Sequence, residues 1–191
     1  MAGELNIVVL FSGEGTNLEN LIEQFHNIRF GEKVTKIVPI TNRPDAGGIR
    51  RAERYGIDTI VIDHKRYERR ESFDADLVKA IEKFDPSLVV MAGFMRILTP
   101  VFTENVEAIN LHPSLLPLFK GAHAIEESFS SGMKVGGVTV HRVTPELDNG
   151  EILDQACVKI EPGETLETFA DKIHQAEYRL LPEVIRRLLN L

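Results

Sequence analysis

The sequence predicts an α/β protein: an open, mostly parallel twisted sheet flanked by helices, with an antiparallel hairpin near the C-terminal end. Three observations carry this. Up to about residue 112, apolar runs of strand length alternate with stretches whose apolar residues recur at helical spacing, the pattern of parallel strands joined by right-handed crossovers. The first run, "LNIVVLF" (5–11), is apolar almost throughout, as in a strand covered on both faces. Late in the chain, "VGGVTVHRVT" (135–144) and "EILDQACVKI" (151–160) read as two strands separated only by the turn-like "PELDNG", and so as a hairpin.

The elements follow in order. After the first strand comes "SGEGTN", then Leu18, Leu21, Ile22 and Phe25 on one helical face. "VTKIVPI" (34–40) is a second strand with Pro39 near its end, and "AGGIRRAERYG" a short helix closed by Gly56. "IDTIVI" (57–62) is a third strand. Phe73, Leu77, Ala80, Ile81 and Phe84 mark a helix that must stop before Asp85-Pro86, because the residue before a proline is pushed out of the helical region. "SLVVMAG" (87–93) is a fourth strand, "TPVFTEN" a short helical connector, and "EAINLH" (107–112) a fifth strand. A short helix is predicted around 122–130. A long terminal helix carries Leu166, Phe169, Ala170, Ile173, Leu180, Leu181, Val184, Ile185 and Leu188 on one face, with a kink or break predicted at Pro182.

Composition bounds the function classes. A chain of 191 residues, 43% hydrophobic and without repeat or linker, predicts one domain, 1–191, with a full core. A net charge of −7 argues against a nucleic-acid partner, which wants a basic surface. A lone cysteine, Cys157, fits a reducing compartment, and its apolar surroundings predict core packing. No apolar run approaches the roughly 20 residues of a membrane span, and "MAGELNIVVLF" lacks a basic leader segment. A cytoplasmic protein is expected, with no membrane partner; its oligomeric state is open, a homodimer included.

Three stretches carry candidate chemistry. "SGEGTN" is a Gly-rich turn between strand and helix, where backbone N–H groups and a positive helix end seat phosphate. Position 18 is Leu where a dinucleotide fingerprint wants Gly, and no Lys-Ser/Thr pair marks a P-loop, so a phosphate monoester fits better than NAD or ATP. "MAGFMRILTP" lies at a strand's carboxyl end, where ligands collect in open α/β sheets. Met91 and Phe94 read as core there, and Arg96 as a clamp for a carboxylate or a solvated loop residue. In "AINLHPSLLP" (108–117), strand alternation puts Asn110 and His112 on one face, and Pro113 ends the strand. Asp148 in "PELDNG" reads locally as a turn residue, and spacing alone does not bring it to His112. Glu177 sits on the apolar face of the last helix, where a carboxylate is costly without a partner. Ser12 lacks a nucleophile-elbow context. No His pair or Cys cluster has metal-ligand spacing, so no metal is expected.

Together "VVLFSGEGTNL", "AGFMRILTP", "NLHPSLLP", "VTVHRVTPELDNG" and "PGETLETF" resemble the folate-dependent phosphoribosylglycinamide formyltransferases. The resemblance implies a Rossmann-like formyltransferase fold. It also implies transfer of the formyl group of 10-formyltetrahydrofolate, a co-substrate, to the amino group of 5-phosphoribosylglycinamide in purine biosynthesis, without a metal. Asn110, His112 and Asp148 would be the catalytic trio, with Asp148 favouring the cationic imidazole. Gly15, Thr16, Asn17 and Glu177 would bind the phosphoribosyl substrate. Arg70, Met95, Arg96, Ile97, Leu98 and Asn110 would bind the folate. Glu14, an acid in the phosphate turn, should point outward, and Lys120 stands where a proline is common in relatives. His123, His141 and His174 are not expected to act as the base. The segments 119–132 and 141–149, flanking the site, are the expected movers. The nearest rival is a 10-formyltetrahydrofolate deformylase, a hydrolase passing the same formyl group to water; its relatives carry an extra regulatory domain ahead of the first strand. Methionyl-tRNA formyltransferase adds a C-terminal domain, and an acidic chain ending at its last helix fits tRNA poorly.

Overall fold

A computed structural model describes residues 3–191. Its contacts divide the chain into two compact units, one running to Ala108 and including Leu189–Leu191, the other Ile109–Leu188.

The first unit is built on β1 (Gly3–Phe11), which pairs in parallel with β3 (Lys33–Thr41) on one side and β5 (Pro86–Ala92) on the other. This central place is why 7–11 could be apolar without alternation: Ile7, Val8, Val9, Leu10 and Phe11 are fully buried. Each such side chain contributes roughly 1.5–3 kcal/mol by leaving water. Helix α1 (Thr16–Phe25) buries the expected Leu18, Leu21, Ile22 and Phe25. The antiparallel β2 (Ile28–Phe30) was not expected; it returns to β3 through Gly31-Glu32, with Gly31 at φ 59.

After α2 (Gly47–Arg54), the third strand predicted at 57–62 shrinks to β4 (Ile60–Val61), parallel to the end of β3. The Ile57 N–H is spent on Ala52 O of the preceding helix (3.1 Å), which leaves only the tip of the run to pair. Then come α3 (Arg70–Glu82), β5 and α4 (Pro100–Thr103). The buried Asp74 carboxylate accepts both the Thr99 N–H (2.6 Å) and hydroxyl (2.7 Å), satisfying the start of α4 from a neighbouring helix.

The second unit holds β6 (Ala108–His112) from Ile109 on, α5 (Ala124–Ser130), β7 (Val135–Arg142), β8 (Ile152–Lys159) and most of α6 (Leu166–Leu189). β7 pairs antiparallel with β6 and with β8, so the predicted hairpin forms. A Cβ on Gly136 would fall 2.5 Å from Phe169 Cζ, so α6 presses directly on β7. One expectation is narrowed here and another fails. α6 does not break at Pro182; Leu180, Leu181, Val184 and Ile185 are buried on both sides of it, which offsets the roughly 3 kcal/mol a mid-helix proline costs. Cys157 is exposed rather than core, because β8 is the edge strand of this sheet and buries Val158 on its other face.

Thr139 anchors the turn after β6. Fully buried, it donates to Ser114 O (2.7 Å) and accepts from Leu116 N–H (3.1 Å) and Gln155 Nε2 (2.9 Å). Thr139→Val keeps the shape and strands these partners, so urea denaturation should find the protein less stable by about 1–3 kcal/mol.

Candidate functional site

In a parallel sheet the strands end on the same side, so the segments after β1, β3 and β5 gather. Ser12 joins them: its hydroxyl donates to Asn42 Oδ1 (2.6 Å) and accepts from Met95 N–H (2.8 Å), and its own N–H bonds Gly93 O (3.0 Å). Its hydroxyl is thus spent on contacts between segments. Gly15, the N-cap of α1, has φ 70, and a Cβ there would lie 2.5 Å from Gly48 Cα. The turn thus requires glycine both for its left-handed backbone and for its closeness to α2. Thr16 and Asn17 form the first turn of α1, so all three predicted phosphate-turn residues stand at one helix N-terminus. Glu14 is exposed, as expected, and its carboxylate lies over Gly47 at the start of α2, where a helix's positive end favours it.

The predicted folate segment follows β5. Met95 and Ile97 are 65% and 55% exposed, whereas Leu98 is buried. Arg96 lies over the Phe73 ring (5.3 Å), and its Nε is buried with no hydrogen-bond partner among the described residues. Arg70 is exposed at the first residue of α3, where a cation opposes the helix dipole.

In the second unit the pairing of β6 with β7, and the loops that follow each, assemble a polar cluster. Asn110 sits directly opposite His141, and His112 opposite Thr139. The loop after β7 returns Asp148, which adopts the left-handed φ of 48 that Asp tolerates better than most residues. Its buried carboxylate stands 3.5 Å from His112 Nδ1 and 3.5 Å from Asn110 Nδ2, and accepts the Gly121 N–H at 2.9 Å. His112 Nε2 donates to Phe119 O (2.8 Å), so that nitrogen carries a hydrogen and Nδ1 faces the carboxylate. Burial alone would raise the Asp148 carboxyl. The Gly121 N–H and the charge on His112 are among the causes that outweigh it and hold the carboxyl below the usual range.

The structure therefore unites Asn110, His112 and Asp148, although spacing alone did not join them. It adds what sequence reasoning missed: the backbone groups of Phe119 and Gly121, and the bond of His141 to the cluster, its Nε2 lying 3.1 Å from Asn110 Nδ2. An antiparallel β6–β7 pairing was the signal that would have put His141 beside Asn110. His123 is exposed at the start of α5. Lys120 ties the two flanking loops through Asn149 Oδ1 (2.6 Å). Glu177 is buried on α6 as expected and accepts from His174 Nδ1 (3.0 Å). Among the described residues no group of three or more His, Cys, Asp or Glu could hold a metal ion, and no helix is long and apolar enough to cross a membrane.

A model of the formyl transferase family matches residues 5–185, and the chain belongs to that family. The phosphoribosylglycinamide formyltransferase of Escherichia coli is 36% identical over 183 residues, 95% of this chain and 85% of its own. The trifunctional purine biosynthetic protein adenosine-3 of Gallus gallus is 40% identical over 185 residues; they are 96% of this chain, which spans only 18% of that protein. The crystal structure of phosphoribosylglycinamide formyltransferase from Campylobacter jejuni matches with a TM-score of 0.94 at 49% identity, covering 99% of this chain and 100% of that one.

Two outcomes are expected. Gly15→Ala should unfold at a lower temperature and lose affinity for phosphate esters in calorimetric titration, through combined strain and overpacking of about 1–3 kcal/mol. The second concerns pH. The Glu177 hydrogen bond raises the His174 pKa, against burial and with help from the charges of Glu177 and Asp171. A raised folded pKa means stabilisation that is complete below the free value of about 6.5 and lost as pH rises through the folded pKa. Urea midpoints of wild type and His174→Gln should therefore differ most in mild acid and converge in alkali.

Proposed function

We propose that this chain transfers the formyl group of 10-formyltetrahydrofolate to the amino group of 5-phosphoribosylglycinamide, acting in the cytoplasm on small molecules. Residues 1–191 serve as one formyltransferase domain, a reading supported by a single family model that runs through both compact units. The observation that carries the function is the buried Asn110–His112–Asp148 cluster in a chain whose relatives bear the formyltransferase name.

The reaction adds a neutral amine to the formyl carbon, puts negative charge on the formyl oxygen, and expels the folate nitrogen. The amine must lose one proton and the departing nitrogen gain one. Both Asn110 Nδ2 and His112 Nδ1 lie 3.5 Å from an Asp148 oxygen, longer than a good hydrogen bond. Two donors held this loosely by a carboxylate are ready to turn to an oxyanion forming beside them, the interaction that most lowers acyl-transfer barriers. Asp148 stabilises the imidazolium that donates, and the His112–Asp148 pair relays the proton from amine to leaving group. Gly15, Thr16 and Asn17 receive the substrate phosphate, and Glu177 a ribose hydroxyl. Exposed Met95 and Ile97 offer an apolar bed to the folate ring, with Arg96 and Arg70 toward its anionic end.

The test follows formyl loss from 10-formyltetrahydrofolate with and without phosphoribosylglycinamide. Turnover should require the amine; equal turnover in its absence would make the protein a hydrolase and overturn the proposal. His112→Ala should lower kcat about 10²–10³-fold, as loss of an oxyanion donor does elsewhere.

A further inference from the structure

We propose that His141 is a positioning residue for formyl transfer: its buried imidazole accepts a hydrogen of the Asn110 amide and so decides which end of that amide faces Asp148. The inference rests on the function proposed above. Nothing in the strand pattern demands a histidine here. At 2% exposed, a polar ring near the end of β7 is costly unless both its nitrogens are satisfied.

Both are. Nδ1 lies 2.8 Å from Arg142 O, and a carbonyl oxygen only accepts, so Nδ1 carries the hydrogen. The neutral ring then presents a lone pair at Nε2. That lone pair is 3.1 Å from Asn110 Nδ2, the residue directly opposite in the β6–β7 register. Turning the Asn110 amide over would set its oxygen against the Nε2 lone pair and against the Asp148 carboxylate, an acceptor facing two acceptors. The imidazole thus selects the rotamer in which Asn110 offers N–H rather than C=O. One hydrogen is held by His141, and the other points to Asp148 Oδ1 at 3.5 Å, available to a developing oxyanion. His141 Nε2 is itself 3.7 Å from that oxygen, outside hydrogen-bond reach, so its partner is the amide.

The first test is imidazole nitrogen NMR on the wild-type protein. The expected His141 signals are a protonated Nδ1 and an unprotonated, hydrogen-bonded Nε2; a protonated Nε2 would overturn the inference, with no variant needed. The second compares His141→Leu with His141→Gln, whose Oε1 reaches the place of Nε2. The Leu variant should lose about 10²-fold in kcat with little change in KM for either substrate, because the amide is misdirected rather than the substrates unbound. The Gln variant should recover most of that loss. Equal losses in the two variants, or an unchanged kcat in Leu, would overturn the inference. Finally, in an Asn110→Ala background His141→Leu should cost nothing more, whereas additive losses would mark a purely structural role. A wild-type protein without transferase activity would sink the function, and the tautomer would still decide where the Asn110 amide points.

Discussion

A carboxylate sealed from water has to be matched by donors, and Asp148 sets the terms for everything around it. Removing such a charge from water costs several kcal/mol unless hydrogen bonds and opposite charge answer it. The answering groups come from two places, the Gly121 N–H after β6 and the side chains of Asn110 and His112 on β6, while His141 of β7 holds the Asn110 amide from behind. Satisfying one anion therefore ties a strand pair and two loops into a single arrangement. The loop bearing Phe119 and Gly121 cannot wander, because its start is bound to Thr139 and its end to the anion.

The first unit solves a different problem with backbone instead of charge. Three parallel strand ends leave N–H and C=O groups that need partners, and Ser12 supplies hydroxyl and amide to two neighbouring segments at once. The glycine turn then brings α1 and α2 together closely enough that main chain touches main chain. Rigidity at this edge comes from short polar and glycine residues, while the apolar mass lies further down the strands in residues 7–10.

Much of this was legible in the residues. A continuous apolar run located β1, which is covered on both faces, and apolar periodicity located α1, α3 and α6, each of which buries one face. Strand alternation placed Asn110 and His112 together for the same reason. Asp148 was legible only through a resemblance, since a loop residue 36 positions from His112 obeys no periodicity. His141 was seen, but its bond to Asn110 depends on the register of an antiparallel pair, which alternation does not fix. β2 was missed because three residues are too short a run for alternation to show, and Ile28 and Arg29 are exposed. A break at Pro182 and a buried Cys157 were both read from a local run; burial around α6 keeps that helix continuous, and the edge position of β8 exposes the thiol.

That edge position has a practical meaning. The chain's single thiol is exposed on the edge strand, so a maleimide dye or spin label can attach at one defined spot on the unaltered protein. Because Cys157 lies across from Gly137 on β7, the strand that carries His141, a reporter there would register disturbance of that strand without occupying the cluster itself.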